Sequence, residues 1–307
     1  MIGNRPSTPL FATINVTGVC NLKCAYCFFQ PRLEKHMAGA DFRRIVDELA
    51  EDRLFFINIS GGEPFAHPEI EHLLAYAHER FKQVVTLSNG TLLKQKHCDA
   101  IEKIIARKGE FPIQISLDSI DSNVNARTRS ASDKILANIE KLSKMKANIV
   151  VAIVITERNA DTVLNTIRTL SDHVTHFHIM EVQSVNALCG SDADLALPQN
   201  RIEELWDGIA ALRDERNLYI EIPADCTDAP TGAAYGAACM AGFTQVVIDP
   251  DLKVRPCDRC VMTHIGDLKE TSLDDVWNGA AVREVLESDL VYCQVEKTAM
   301  AKTACGV

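Results

Sequence analysis

The stretch Val16-Thr-Gly-Val-Cys20-Asn-Leu-Lys-Cys24-Ala-Tyr-Cys27-Phe-Phe29 places three thiols within eight residues. Intervals of three and two residues let one loop wrap its thiolates around a single centre, and soft thiolate donors suit iron–sulfur clusters or zinc. Three donors rather than four is the informative feature. A cluster held by three protein ligands keeps one metal position open, and an open position is what catalysis at a metal requires. The competing readings of the triplet alone are a structural zinc knuckle, which ordinarily takes four ligands, or three buried thiols with no metal.

The residues before the loop, 11–16, alternate weakly and read as a strand that delivers the thiols at its C-terminal end. Working outward, strand and helix then alternate. Phe42, Ile45, Val46 and Leu49 have helical spacing within 41–52, and 54–59 reads as a strand; Ile70, Leu73, Leu74 and Ala77 mark the next helix, followed by a strand over 84–87. The pattern continues with helices near 94–107, 132–144, 161–170 and 195–216 and strands over 113–117, 149–155 and 174–180. Six such units imply parallel strands joined by right-handed crossovers, with ligands at the carboxyl ends of the strands. Periodicity does not separate an open sheet from a barrel. After about residue 217 the composition shifts to a Pro/Gly/Ala/Asp-rich stretch over 223–242. A hairpin over 244–255 turning at Asp249-Pro250-Asp251 and a helix over 273–286 follow.

The chain has 307 residues, 47% of them apolar, enough for a large buried core. With 42 acidic against 32 basic residues and a net charge of −10, it lacks the basic character of a general nucleic-acid binder. The longest apolar run, 149–155, is far too short to span a membrane, and the first ten residues carry no signal-peptide core, so a cytoplasmic protein is expected. The 11 cysteines are an odd number, and eight of them fall in two groups, which in a reducing compartment reads as metal ligands rather than disulfides.

At Cys20, Cys24 and Cys27 the sequence closely resembles the radical S-adenosylmethionine (SAM) superfamily, whose signature is this Cys-x3-Cys-x2-Cys loop after the first strand. The resemblance extends over roughly 11–180 and implies an α/β fold, the (β/α)6 partial TIM barrel. It also implies a 4Fe–4S cluster on the three cysteines, with SAM on the open iron reductively cleaved to a 5′-deoxyadenosyl radical.

Further motifs lie at strand ends. Ser60-Gly61-Gly62-Glu63-Pro64 follows the second strand; the glycines admit close backbone approach and Glu63 offers an acceptor for an ammonium group, although alone the segment reads as a tight turn. Beside the cysteine loop it resembles the family's GGEP motif, implying a hold on the SAM amino group. Ser88 and Asn89 end the third strand, and Ser116 and Asp118 the fourth. Turn and cap chemistry accounts for such residues too, while the resemblance implies contacts to the SAM ribose. The segment 118–129 is similar to one whose arginine pairs with the SAM carboxylate, and Arg129 matches better than Arg127. Tyr26 matches an aromatic position near the adenine, with ordinary loop packing as its alternative.

The second cysteine group is Cys239, Cys257, Cys260, Cys293 and Cys305. It resembles the SPASM and twitch extensions, cysteine-rich tails that hold auxiliary 4Fe–4S clusters, though it has fewer cysteines than a full SPASM tail. One auxiliary cluster is expected, on Cys239 and Cys257 with two of Cys260, Cys293 and Cys305; zinc is the alternative, because Cys257-Asp-Arg-Cys260 is also half a knuckle. Cys98 reads as a small buried hydrophobe in a helix. Cys189 and Cys226 fall in loops after the sixth unit, where a thiol could return a hydrogen atom to a carbon radical or simply be inert.

The expected division is a core over 1–217 and an auxiliary-cluster domain over 218–307. The expected activity is hydrogen abstraction from a peptide or protein side chain, giving a crosslink, oxidation or epimerisation, with a reductant such as flavodoxin or ferredoxin. Only ten residues precede the first strand, so a separate leader-peptide recognition protein is expected. The alternatives are a dehydrogenase or epimerase acting on an aminoglycoside-like carbohydrate, and a non-catalytic metal-binding or electron-transfer module.

Overall fold

Strand and helix alternate as the periodicity predicts. In the computed structural model, residues 5–27, 29, 33–182, 195–220, 241–258, 260 and 263–287 are described; Cys189, Cys226, Cys239, Cys293 and Cys305 lie outside them. The six β/α units run β1 Phe11–Thr17, α1 Gly39–Glu51, β2 Phe56–Gly61, α2 Ile70–Arg80, β3 Val84–Ser88, α3 Gln95–Lys108, β4 Pro112–Ser116, the short α4 Ser122–Asn125, α5 Asp133–Lys144, β5 Asn148–Ile155, α6 Val163–Leu170, β6 His176–Glu181 and α7 Gln199–Arg216. Helix α1 forms because Phe42, Ile45, Val46 and Leu49 make one buried stripe, with Asp41 in the first turn complementing the helix dipole. Helix α3 stops at Gly109, which takes φ of 85° and closes the last turn on the carbonyl of Ile105. Strand β5 is buried over its last five residues, Val151 to Ile155, as a parallel strand covered on both faces should be.

The chain divides into two compact units. One comprises Met1–Cys20, Phe28–Val84 and Asp225–Val307, the other Asn21–Cys27 and Val85–Ala224. Within the first, the strand order is β10-β9-β8-β1-β2, where β8 is Gln245–Ile248, β9 Lys253–Arg255 and β10 Gly266–Asp267. Strand β1 pairs in parallel with β2 on one side, Ile14 opposite Ile59, and in parallel with β8 on the other, Ile14 opposite Ile248. The predicted hairpin is thus β8 and β9, antiparallel, and it completes the pairing of the strand that carries the cysteine loop. Within the second unit, β3, β4, β5, β6 and a two-residue β7, Tyr219–Ile220, follow one another in parallel. Residues Ser116, Ala152 and His178 form one row across β4, β5 and β6.

The expected helix over 273–286 is two helices, α8 Leu273–Trp277 and α9 Ala280–Glu287. Asn278 ends α8 by donating its side-chain amide to the carbonyl of Asp274 at 3.1 Å, and a Cβ on Gly279 would stand 2.8 Å from the carbonyl oxygen of Asp275.

Candidate functional site

In the first unit, β1 ends at Thr17 and the backbone turns toward Cys20 against the end of β2. Gly62 N–H donates to the Thr17 carbonyl at 2.7 Å and Glu63 N–H to the Val19 carbonyl at 2.9 Å. Glycine is required there because backbone lies against backbone. A Cβ on Gly61, whose φ is +142°, would sit 2.2 Å from Thr17 O, and one on Gly62 2.4 Å from Val19 O. Glu63 is fully buried and its carboxylate accepts from Phe65 N–H at 3.1 Å, capping the turn Pro64–Ala66 with Pro64 at its first position. Thr17 Oγ1 accepts from Val19 N–H at 3.0 Å and meets His36 Nδ1 at 2.8 Å, further fixing the path into the thiol loop.

In the second unit, the loop residue Tyr26 is held by Asp118, just past β4, and Cys24 faces Arg129, the ion-pair partner of Asp118. Asp118 is fully buried, and its Oδ2 accepts from Tyr26 Oη at 2.6 Å, Thr128 Oγ1 at 2.6 Å and Arg129 Nε at 3.1 Å, while Oδ1 accepts from Val154 N–H at 3.1 Å. Asn125 receives the N–H groups of Asp118 and Ser119, and Asn159 donates to the Asp118 carbonyl. Ala25 N–H donates to the Thr128 carbonyl at 2.8 Å, so the loop is held at backbone level too. Tyr26 packs its ring with Val154 and Leu195, and burial raises its hydroxyl well above the usual tyrosine range, reinforced by the Asp118 carboxylate. Arg129 turns its Nη1 to Cys24 Sγ at 3.9 Å and stands 5.0 Å over the Tyr26 ring. Burial alone would lower its pKa, but the adjoining Asp118 carboxylate outweighs that and the net direction is upward.

The other strand-end residues divide. Ser88 and Asn89 are buried and do turn chemistry, Ser88 Oγ accepting from Gly90 N–H at 3.0 Å and Asn89 Oδ1 from Thr91 N–H at 2.9 Å. Asn89 also donates to Asn21 Oδ1 at 3.1 Å, joining the thiol loop to the end of β3. Ser116 is half-buried at the end of β4, and its hydroxyl meets no hydrogen-bond partner among the described residues. Cys98 is buried in α3 as expected. Sequence reasoning missed Asn125, Thr128 and Asn159, whose buried side chains hold Asp118 and its segment.

In the tail, Cys257 and Cys260 bring their sulfurs to 3.3 Å. Among the described residues no group of three or more His, Cys, Asp or Glu is arranged to hold a metal ion as it stands. The donor sets nonetheless fit iron–sulfur clusters: two sets of soft thiolates, one on a loop set by glycine contacts and by an arginine facing its sulfur, the other a converging pair.

The sequence matches the family described as the Radical SAM superfamily over residues 14–170, and an iron–sulfur cluster-binding domain, SPASM, over residues 239–305. Among relatives, the antilisterial bacteriocin subtilosin biosynthesis protein AlbA of Bacillus subtilis is 26% identical over 93% of this chain, and the mycofactocin maturase MftC of Mycobacterium tuberculosis is 25% identical over 91%. The chain spans 63% of the length of AlbA and 73% of MftC. Among solved structures, Streptococcus suis SuiB bound to precursor peptide SuiA superposes with a TM-score of 0.79 at 18% identity, over 93% of this chain and 68% of SuiB. The second domain match decides for iron–sulfur ligation over zinc in the tail, and the first implies a 4Fe–4S cluster and SAM at the N-terminal loop. No described helix is long and apolar enough to cross a membrane. With its signature loop inside a match over 14–170, the chain belongs to the radical SAM superfamily.

Proposed function

We propose that this protein is a radical SAM peptide maturase, abstracting hydrogen from a side chain of a ribosomally made peptide. The observation that carries the proposal is the construction of the thiol loop. Its entry is clamped by the Gly62 and Glu63 N–H groups and its exit by Asp118 through Tyr26, a degree of fixation a surface loop does not need. The substrate class is taken from the relatives: AlbA and MftC are named for bacteriocin biosynthesis and mycofactocin maturation, and SuiB has been seen with a precursor peptide.

In this reading Cys20, Cys24 and Cys27 hold the catalytic cluster, and Gly61, Gly62, Glu63 and Pro64 shape the seat of the SAM amino group. Arg129, held by Asp118, takes the SAM carboxylate. Ser116, the half-buried hydroxyl, is assigned with Ser88 and Asn89 to the SAM ribose. Asp118 is assigned to the same site, where it orients Arg129 and Tyr26. When bound, the cluster supplies the electron that breaks the sulfonium C–S bond, an external reductant such as flavodoxin or ferredoxin restoring it. Cys189 or Cys226 would return hydrogen where the outcome is epimerisation. The core is assigned to 1–217 and the auxiliary-cluster domain to 218–307, with one cluster on Cys239, Cys257 and two of Cys260, Cys293 and Cys305.

The test is anaerobic reconstitution, dithionite reduction and an assay for 5′-deoxyadenosine, with and without a candidate precursor peptide. Formation of 5′-deoxyadenosine with a peptide that loses hydrogen, or gains deuterium from the solvent, supports the proposal. No cleavage of SAM by a chain with its full iron complement would overturn it.

A further inference from the structure

Arg255, at the end of β9, is the only lysine or arginine fully withdrawn from solvent among the described residues, with 1% of its surface exposed. A guanidinium withdrawn from water is costly unless its donors are matched, and here they are. Nε donates to Asp249 Oδ2 at 2.7 Å and Nη2 to Asp249 Oδ1 at 3.0 Å, a two-pronged pair with a carboxylate that is itself only 5% exposed. Asp249 Oδ1 also accepts from Asn15 Nδ2 of β1 at 2.9 Å. The remaining arm of Arg255 leaves the hairpin: Nη1 donates to the carbonyl of Asp258 at 2.9 Å and toward that of Cys257 at 3.4 Å. The guanidinium carbon stands 5.8 Å from the ring of Phe29, two residues beyond Cys27.

The hairpin does not need this pair to close. Its turn is already bonded from Asp249 N–H to Lys253 O at 2.9 Å and from Leu252 N–H to Asp249 O at 2.9 Å, and β8 has its own ladder with β1. Well-packed apolar residues would serve a hairpin as well or better. What apolar residues could not do is fix the carbonyls of the segment that carries two thiols, or set a charge beside them.

We propose that Asn15, Asp249 and Arg255 form a positioning relay for the auxiliary cluster, running from the strand that bears the radical-site loop to the Cys257 and Cys260 ligand segment and setting the cluster's electrostatic environment. This rests on the reading of the tail as an iron–sulfur site. The relay holds the carbonyls of Cys257 and Asp258 so that the two sulfurs converge. It also places a permanent positive charge, offset by Asp249, next to a centre whose reduction adds negative charge. The balance of the two side chains therefore biases the auxiliary cluster's readiness to accept an electron.

The experiment uses the full-length chain carrying Cys20→Ala, Cys24→Ala and Cys27→Ala, so that the auxiliary cluster is the sole iron–sulfur signal. Iron content and the midpoint potential, by titration followed with electron paramagnetic resonance, are measured for this parent and for Asp249→Asn, Arg255→Met and Arg255→Lys. Asp249→Asn leaves the arginine uncompensated and should raise the potential; Arg255→Met leaves the carboxylate and should lower it; Arg255→Lys, keeping the charge, should lie nearer the parent. Shifts of opposite sign are not what general loosening produces. A variant that stays folded by circular dichroism but fails to retain iron also supports the relay. Shifts of the same sign, or none, in chains with full iron would overturn it. Where Arg255→Met does not fold, Asp249→Asn decides alone, and an unmoved or lowered potential refutes the proposal. A parent chain without iron would instead refute the reading of the tail, which separates the two failures.

Discussion

Replacing Asp118 with asparagine removes the charge on which the exit of the thiol loop depends, at nearly constant volume. One carboxylate oxygen serves three donors, from Tyr26, Thr128 and Arg129, and the other serves Val154 N–H. An amide oxygen can replace only one of the two. Either way Arg129 loses its counter-charge; if the oxygen faces the three donors, the new NH2 opposes Val154 N–H, and if it faces Val154, three donors oppose an NH2. The Arg129 and Asp118 side chains are 10% and 0% exposed, so solvent screening does little to soften the loss. Breaking a buried pair from one side costs about 3–5 kcal/mol, a large part of the ~5–15 kcal/mol that holds a domain together. The assay is hydrogen exchange on the apo chain. At about 1.4 kcal/mol per decade, exchange of Val154 N–H and of the loop amides near Ala25 should accelerate by about two to three and a half orders of magnitude. Amides of α1, in the other unit, should change far less. SAM affinity should fall with it, since Arg129 loses its orientation. Tyr26→Phe, which removes one donor and leaves the ion pair, should show a much smaller acceleration. An Asp118→Asn chain whose loop exchanges within threefold of wild type would refute the claim that this carboxylate organises the site.

Gly62→Ala should prevent the clamp from forming, since its Cβ would press on a backbone oxygen 2.4 Å away, at a cost of about 2–3 kcal/mol or more; loss of SAM binding in calorimetry checks it. His67 is 2% exposed, accepts from Glu69 N–H at Nδ1 and so holds its proton on Nε2 toward the Met37 carbonyl. Burial lowers its pKa below the usual 6.5, so the unfolded chain takes up a proton first. Stability should therefore fall as pH drops below 6.5, by up to about 1.4 kcal/mol per pH unit until the folded histidine also protonates. His67→Gln should fall less steeply in denaturant titrations. Cys20→Ala should remove about four irons and all 5′-deoxyadenosine formation, whereas Cys257→Ala should remove a similar amount of iron and leave SAM cleavage without peptide product.

The order of elements was readable from the sequence because it depends on local periodicity. Phe42, Ile45, Val46 and Leu49 announce α1 without reference to the rest of the chain, and Asp249-Pro250-Asp251 announces the hairpin. The break at Asn278-Gly279 carried a turn signal that the apolar pattern of 273–286 overrode. Strands β7 and β10, two residues each, and the four-residue α4 are too short to leave a period. The site was readable where a residue's chemistry is scarce, as with three close thiols or paired glycines. It was not readable where ordinary polar residues do the holding: Asn125, Thr128 and Asn159 look like surface residues until the fold encloses them. Tyr26 and Asp118 are 92 positions apart, and nothing local in either predicts that the pair is buried.

The parallel pairing of β1 with β8 has a consequence for synthesis. One of the two neighbours of the strand that carries the thiol loop, and the carboxylate that receives Asn15, emerge 234 residues after it. At about 5–20 residues per second, a ribosome needs about 10–50 s to cover that interval. Until then β1 presents an open edge ending in three thiols. Metal loading of the loop and completion of the sheet are thus separated in time, and a cell making this protein has to keep a half-paired, oxidisable strand safe through that interval.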